Sequence, residues 1–150
     1  MWFSRIKQDL SLLPDMVDHY NLELEQAQLE TRISGSLEKN AQDLPGVVSY
    51  RFGQLQEIEA VLKHLNVKYD RMRSNHYRRY LERYNRELSD RAIEKYIDGE
   101  QDIVDMSELI NEIALVRNRY LGVIKGLEAK GFMVGHIVKL RVVGLNDSIL

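Results

Sequence analysis

The residues best suited to chemistry in this sequence lie together, in the 24 positions from Lys63 to Arg86. KHLNVKYDRMRSNHYRRYLERYNR sets eight Lys and Arg against two acids, with four tyrosines interleaved. The whole chain has a formal charge of −2, so this stretch, at +6, leaves −8 for everything else. Cations neutralise phosphates and release counterions, while flat rings give unstacked bases a surface to lie on. The competing reading is a solvated helix face with snorkelling arginines and half-buried tyrosines. Lys68, Arg71, Arg78 and, further on, Arg86 recur at steps that stack them along one flank of a helix. Arg73 and Arg79 flank the apolar seam on its other side, and Tyr77, Tyr80 and Tyr84 follow one another beside them. His76 and Arg83 complete the candidate contacts. A helix that reads duplex DNA wants short polar side chains at the base edges, and only Asn75 and Asn85 offer them here. The mixture favours a single strand bound without strong sequence preference.

Other chemistry is sparse. There is no cysteine, which excludes a disulfide framework and a thiolate metal site. His19, His64, His76 and His136 stand far apart, none with a second ligand at metal-binding spacing. Gly35, Gly46 and Gly53 do not make a phosphate loop, and no serine occupies a nucleophile elbow. Acidic pairs such as Glu23/Glu30 and Asp98/Asp102 are expected on solvated helix faces. The expectation is therefore a non-enzyme with no catalytic residue, no metal and no cofactor.

The elements that must position the basic tract are helices. Two prolines in 150 residues and 29% charged residues point to long helices, an all-α fold within one domain's length. The charge falls in blocks: about −5 over residues 1–60, +6 over 61–86, −7 over 87–116 and +4 over 117–150. Such alternation suits self-association or an acidic patch that docks a basic partner. No apolar run approaches the roughly 20 residues a bilayer requires, so no membrane partner is expected. Trp2 and Phe3 are expected to cover a neighbouring helix.

Pro14-Asp15 opens a helix running to about Ser34, with an apolar stripe of Leu13, Val17, Tyr20, Leu24 and Ala27. Gly35-Ser36 interrupts it, and Asp43-Leu44-Pro45-Gly46 reads as a turn. A second helix is expected from Val47 to Arg86, on the stripe Phe52, Leu55, Ile58, Leu62, Leu65, Tyr69, Met72 and His76. From Leu55 its steps alternate three and four, which is a heptad seam. Ser89-Asp90 caps a short helix over 90–97, ended by Gly99. A longer helix over 101–130 carries a second seam, Met106, Leu109, Ile113, Val116, Tyr120, Val123 and Leu127, beside a parallel stripe of Ile110, Ala114, Leu121 and Ile124. So wide an apolar face argues for a core shared between subunits. Gly131 should break this helix before a short one over Phe132–Val143, and Leu145–Leu150 reads as a loosely held tail. The organisation expected is a DNA-binding region over 1–100 and an oligomerisation region over 101–150, forming one compact unit.

The C-terminal half also carries a pattern. Lys130-Gly131-Phe132, then His136-Ile137, then Leu140-Arg141 resembles the end of the UvsY family, recombination mediators of T-even and related phages. Arg71-Met72-Arg73 is similar to that family's basic-x-basic pair, and His76-Tyr77 stands where the family has two aromatic residues. The resemblance spans roughly residues 47–142; the first 45, with Trp2, Phe3 and Pro14, depart from it. It implies a helical, ring-forming homo-oligomer in the cytoplasm of an infected bacterial host. Such a protein binds single-stranded DNA and loads a RecA-like recombinase onto strands coated by single-strand-binding protein. Arg71 and Arg73 would be the main DNA contacts. The ring would be held by Met106 to Arg141, with Phe132 and Ile137 at the interface. The rival reading is a structural adaptor whose basic tract docks an acidic protein.

Overall fold

The computed structural model describes residues 1–83 and 87–144. Tyr84, Asn85 and Arg86 of the basic tract, and the tail from Leu145, lie outside the described residues. The chain is all-α, with no strand among the described residues: α1 Trp2–Gln8, a 3-10 turn at Leu10–Leu12, α2 Leu13–Glu30, α3 Leu37–Arg83, α4 Asp90–Asp98 and α5 Gln101–Val142.

Local chemistry accounts for most boundaries. Pro14 sits in the first turn of α2, where a missing N–H costs nothing. Beyond α2 the chain reverses through Gly35 at φ 73°, a conformation that disfavours a side chain. The Ser89 hydroxyl accepts the Ala92 N–H and starts α4, and Gly99 follows its last turn.

Two expected breaks are absent. α3 begins ten residues before Val47 and passes through Pro45. Proline removes one donor there, but Leu44, Val47 and Val48 on either side pack on the core and hold the helical path. α5 likewise runs through Gly131 and Gly135 without a break. At Gly131 the helix passes so close to α3 that an added Cβ would meet Leu44 Cδ2 at 3.2 Å. That glycine serves close approach rather than termination.

α3 and α5 are about 70 and 60 Å long at 1.5 Å per residue. They lie antiparallel: Leu44 meets Gly131, Gln54 meets Tyr120 and His76 meets Asp102. α2 lies against both, its Tyr20 ring 5.7 Å from that of Tyr120, edge to face. This three-helix end holds the main core, which includes Leu13, Met16, Tyr20, Ile58, Leu65, Ile113 and Leu127. Trp2 tilts onto His19 and Phe3 meets His64 edge-on, so α1 covers the bundle as expected. A second, smaller core of Tyr80, Ile93, Ile97 and Ile103 forms at the far end, where α4 folds back on α3. α5 contributes to both cores, so the packing does not divide at residue 100.

The stripe of α2 is buried throughout. In α3 the stripe from Leu55 to Leu65 is buried, but Phe52 is 49% exposed because Arg51 and Gln54 take the inward positions there. Of the residues expected at a subunit interface, Ile113, Val116, Tyr120, Val123 and Leu127 are buried in the chain's own core, with Met106 and Leu109 packed against it. Of the parallel stripe, Ile124 is buried and Ile110 and Ala114 pack against the same core, whereas Leu121 stays exposed. Phe132, 75% exposed, lies outside that core, and Ile137 is half-buried.

Candidate nucleic-acid interface

The last third of α3 presents its basic residues in three directions. Tyr69, Met72, His76 and Tyr80 point inward, His76 and Tyr80 being buried. At 3.6 residues per turn Arg71 and Arg78 fall about 20° apart and opposite that face. Both are exposed, as is Arg83, and none of the three has an ion-pair or hydrogen-bond partner among the described residues. Lys68 is half-buried on one flank. The single flank expected for Lys68, Arg71 and Arg78 is therefore an outward ridge of two arginines with Lys68 to its side.

The other candidate contacts are held by acids from α4 and the start of α5. Arg73 donates to Asp98 at 2.8 Å and to the Tyr69 hydroxyl at 3.3 Å, and the Asp98 carboxylate raises its already high pKa. Tyr77 donates to Asp90 at 2.5 Å, which raises the phenol's pKa. Arg79 donates to Glu100 at 3.1 Å and to His76 Nδ1 at 2.6 Å. Because a guanidinium can only donate, Nδ1 is the acceptor and the imidazole carries its proton on Nε2. Nε2 faces the two oxygens of Asp102 at 2.8 and 2.9 Å, and that contact holds the Asp102 carboxyl below the usual range. Tyr80 donates to Glu100 at 2.7 Å. Two of the acids, Asp98 and Asp102, were expected on a solvated face; here they contact the basic helix.

On the flank of α3 that carries Arg79 runs a groove of about 480 Å³, lined by Met72, Asn75, His76, Arg78, Arg79, Arg83 and the acids Glu82 and Asp102. His76, Glu100 and Asp102 offer ligand atoms within 4.8 Å of one another, a convergence that sequence spacing does not show. The Arg79 guanidinium already bridges His76 and Glu100, so a cation would have to displace it. The arrangement is suited to holding anions along the ridge.

One aromatic residue escapes the sequence reading. Tyr96 of α4 is 55% exposed, and its ring stacks on Tyr80 at 5.7 Å between centroids. Its signal was the amphipathic pattern of α4, which buries Ile93 and Ile97 and turns Tyr96 outward.

A second feature of the surface lies at the far end of α5. Phe132, Met133, Val138 and Leu140 are exposed there, and Phe132 lines an open, mainly apolar groove of about 670 Å³ together with Glu128, Gly131, Gly135, His136 and Lys139. Among the described residues no helix is long and apolar enough to cross a membrane. Set beside protein-family models, curated proteins and solved structures, the chain matches none of them.

Proposed function

We propose that the protein is a non-enzymatic recombination mediator. It binds single-stranded DNA along the outer ridge of α3 and self-associates through the exposed end of α5. It loads a RecA-like recombinase onto strands coated by single-strand-binding protein, in the cytoplasm of an infected bacterial host. The observation that carries the DNA step is the set of exposed cations, Arg71, Arg78 and Arg83, without an acidic partner among the described residues of an acidic chain. The apolar surface around Phe132 supports self-association, since exposed patches of this kind mark interaction sites. Assembly as a ring would multiply the ridges and raise effective concentration without new contacts. The recombinase-loading step rests on the resemblance of Lys130-Gly131-Phe132, His136-Ile137 and Leu140-Arg141 to the UvsY family.

The test is fluorescence anisotropy of a labelled oligo-dT over a salt series, with duplex as competitor. Wild-type binding should be salt-steep and poorly displaced by duplex. Arg71→Ala with Arg78→Ala should weaken it and flatten the salt slope by about 0.7 for each phosphate that is no longer neutralised. An unchanged slope would sink the assignment of the ridge.

One observation favours the adaptor reading. Tyr69 and Tyr80 point inward and Tyr77 is tied to Asp90, which reduces the free stacking surface on α3. An adaptor would hold its acidic protein partner in the presence of excess oligo-dT; a mediator would release it.

A further inference from the structure

The pairing of Arg73 and Arg79 has a functional reading of its own. We propose that Asp98 and Glu100 are a built-in competitor for the strand, an acidic lip that a bound phosphate chain must displace from those two arginines. The inference rests on the single-strand reading of α3.

Asp98 closes α4 and Glu100 immediately precedes α5, so two successive acids around one short connection reach two cations of the proposed interface, at 2.8 and 3.1 Å. Both pairs lie at the rim. The side chains of Arg73 and Asp98 are 27% and 63% exposed, and those of Arg79 and Glu100 are 44% and 28% exposed. A pair in that position is worth little to the fold and can be exchanged for another anion at small cost. The contrast within the same molecule is Arg51, whose side chain is 3% exposed between Glu23 and Glu30. That pair is built to stay.

The two acids of the lip stand differently to the fold. Asp98 stands at the C-terminal end of α4, where the helix dipole disfavours a carboxylate, so it does not serve the helix that carries it. Glu100 also accepts the Tyr80 hydroxyl at 2.7 Å. Its carboxylate therefore keeps an anchor when Arg79 leaves, and the lip can open without losing the turn. Arg71, Arg78 and Arg83 are available at once, whereas Arg73 and Arg79 join only when several phosphates arrive together. A long strand overcomes that threshold and an isolated anion does not.

The experiment compares oligo-dT affinity at one salt concentration for wild type, Asp98→Asn, Glu100→Gln and the double variant, with helix content checked by circular dichroism. Glu94→Gln is the control, an exposed acid of α4 without a cationic partner among the described residues. An exposed ion pair competes by up to about fivefold, so the double variant should bind about 3- to 20-fold tighter. Arg73→Ala should cost little affinity in the wild-type background and more in Asp98→Asn, where the arginine is already free. Asp98→Asn alone carries the test if Glu100→Gln disturbs the turn. The lip is overturned if the double variant binds no tighter than wild type, or gains no more than Glu94→Gln, while wild type still binds the oligonucleotide. Failure of every form to bind would instead bring down the single-strand reading itself.

Discussion

Arg51 offers the sharpest test of how the fold positions this interface. Its Nε and Nη2 grip Glu30 at 2.9 and 2.7 Å, and Nη1 reaches Glu23 at 2.6 Å and the Gln54 side-chain oxygen at 3.0 Å. That oxygen also accepts the Tyr120 hydroxyl at 3.1 Å, so one guanidinium ties α2, α3 and α5 in register. Arg51→Met keeps much of the stem but strands two carboxylates. Removing one partner of a buried pair costs about 3–5 kcal/mol. Here the Glu23 and Glu30 side chains are 28% and 23% exposed and can regain water, which places the loss near the lower end. A loss of about 3 kcal/mol in a chain of this size corresponds to a melting temperature lower by roughly 6–12 °C. Urea and thermal unfolding should be followed by circular dichroism at fixed protein concentration. The acid limb provides an internal check. Hydrogen bonds from Gln54 and Arg51 hold the Glu23 pKa below its ordinary 4.5. The stability this contributes is present above 4.5 and disappears as pH falls through the depressed value, so wild type and variant should converge in acid. A deficit below about 1 kcal/mol at neutral pH, or one that persists unchanged in acid, would refute the reasoning.

Three other outcomes are expected. His64 has a buried Nε2 without a hydrogen-bond partner among the described residues, and burial, then Lys68 and Lys7, lower its pKa from 6.5. The unfolded chain therefore takes up that proton more readily, and stability should decline as pH falls below 6.5. His64→Gln should remove that part of the decline between about pH 7.5 and 5, and identical melting profiles would count against it. Tyr96→Ala should weaken oligo-dT binding about fivefold, the low end for a single stacked base; equal anisotropy curves would remove Tyr96 from the interface. Gly122 is exposed within α5 and an added Cβ would meet nothing within 4 Å. Gly122→Ala should therefore stabilise by about 0.5–1 kcal/mol through backbone entropy, read as a higher urea midpoint with unchanged slope.

Much of the helical architecture was legible because its causes are local. The stripe of α2, the Ser89 cap and the positive-φ turn at Gly35 depend on residues within a turn or two of one another. The errors at Pro45 and Gly131 have a common origin. Both residues weaken a helix by propensity alone, yet each lies where α3 and α5 press together, and that packing outweighs a local cost of about 1–3 kcal/mol. Phe52 left its expected inward position for a related reason. Hydrophobicity places Phe52 inside, but the carboxylates of Glu23 and Glu30, on another helix, make the neighbouring arginine the better-paired occupant.

Sequence by itself determined that the chain is helical, that its positive charge is collected between Lys63 and Arg86, and which residues of α2 and of α3 from Leu55 to Leu65 face inward. Charge content and periodicity are properties of the order of residues. Tertiary structure alone decided which of those cations are free. Arg71, Arg73, Arg78 and Arg79 are alike in type and close in sequence, but α4 folds back and α5 departs so that Asp98 and Glu100 reach only Arg73 and Arg79. It also decided that Ile113, Val116, Tyr120, Val123 and Leu127 of α5 pack into a core with α2 and α3 of the same chain, while Phe132 and its neighbours stay exposed. The physical reason is the same in both cases: a side chain's partner is set by distance in space, and residues 20 to 100 positions apart become neighbours only once the helices pack.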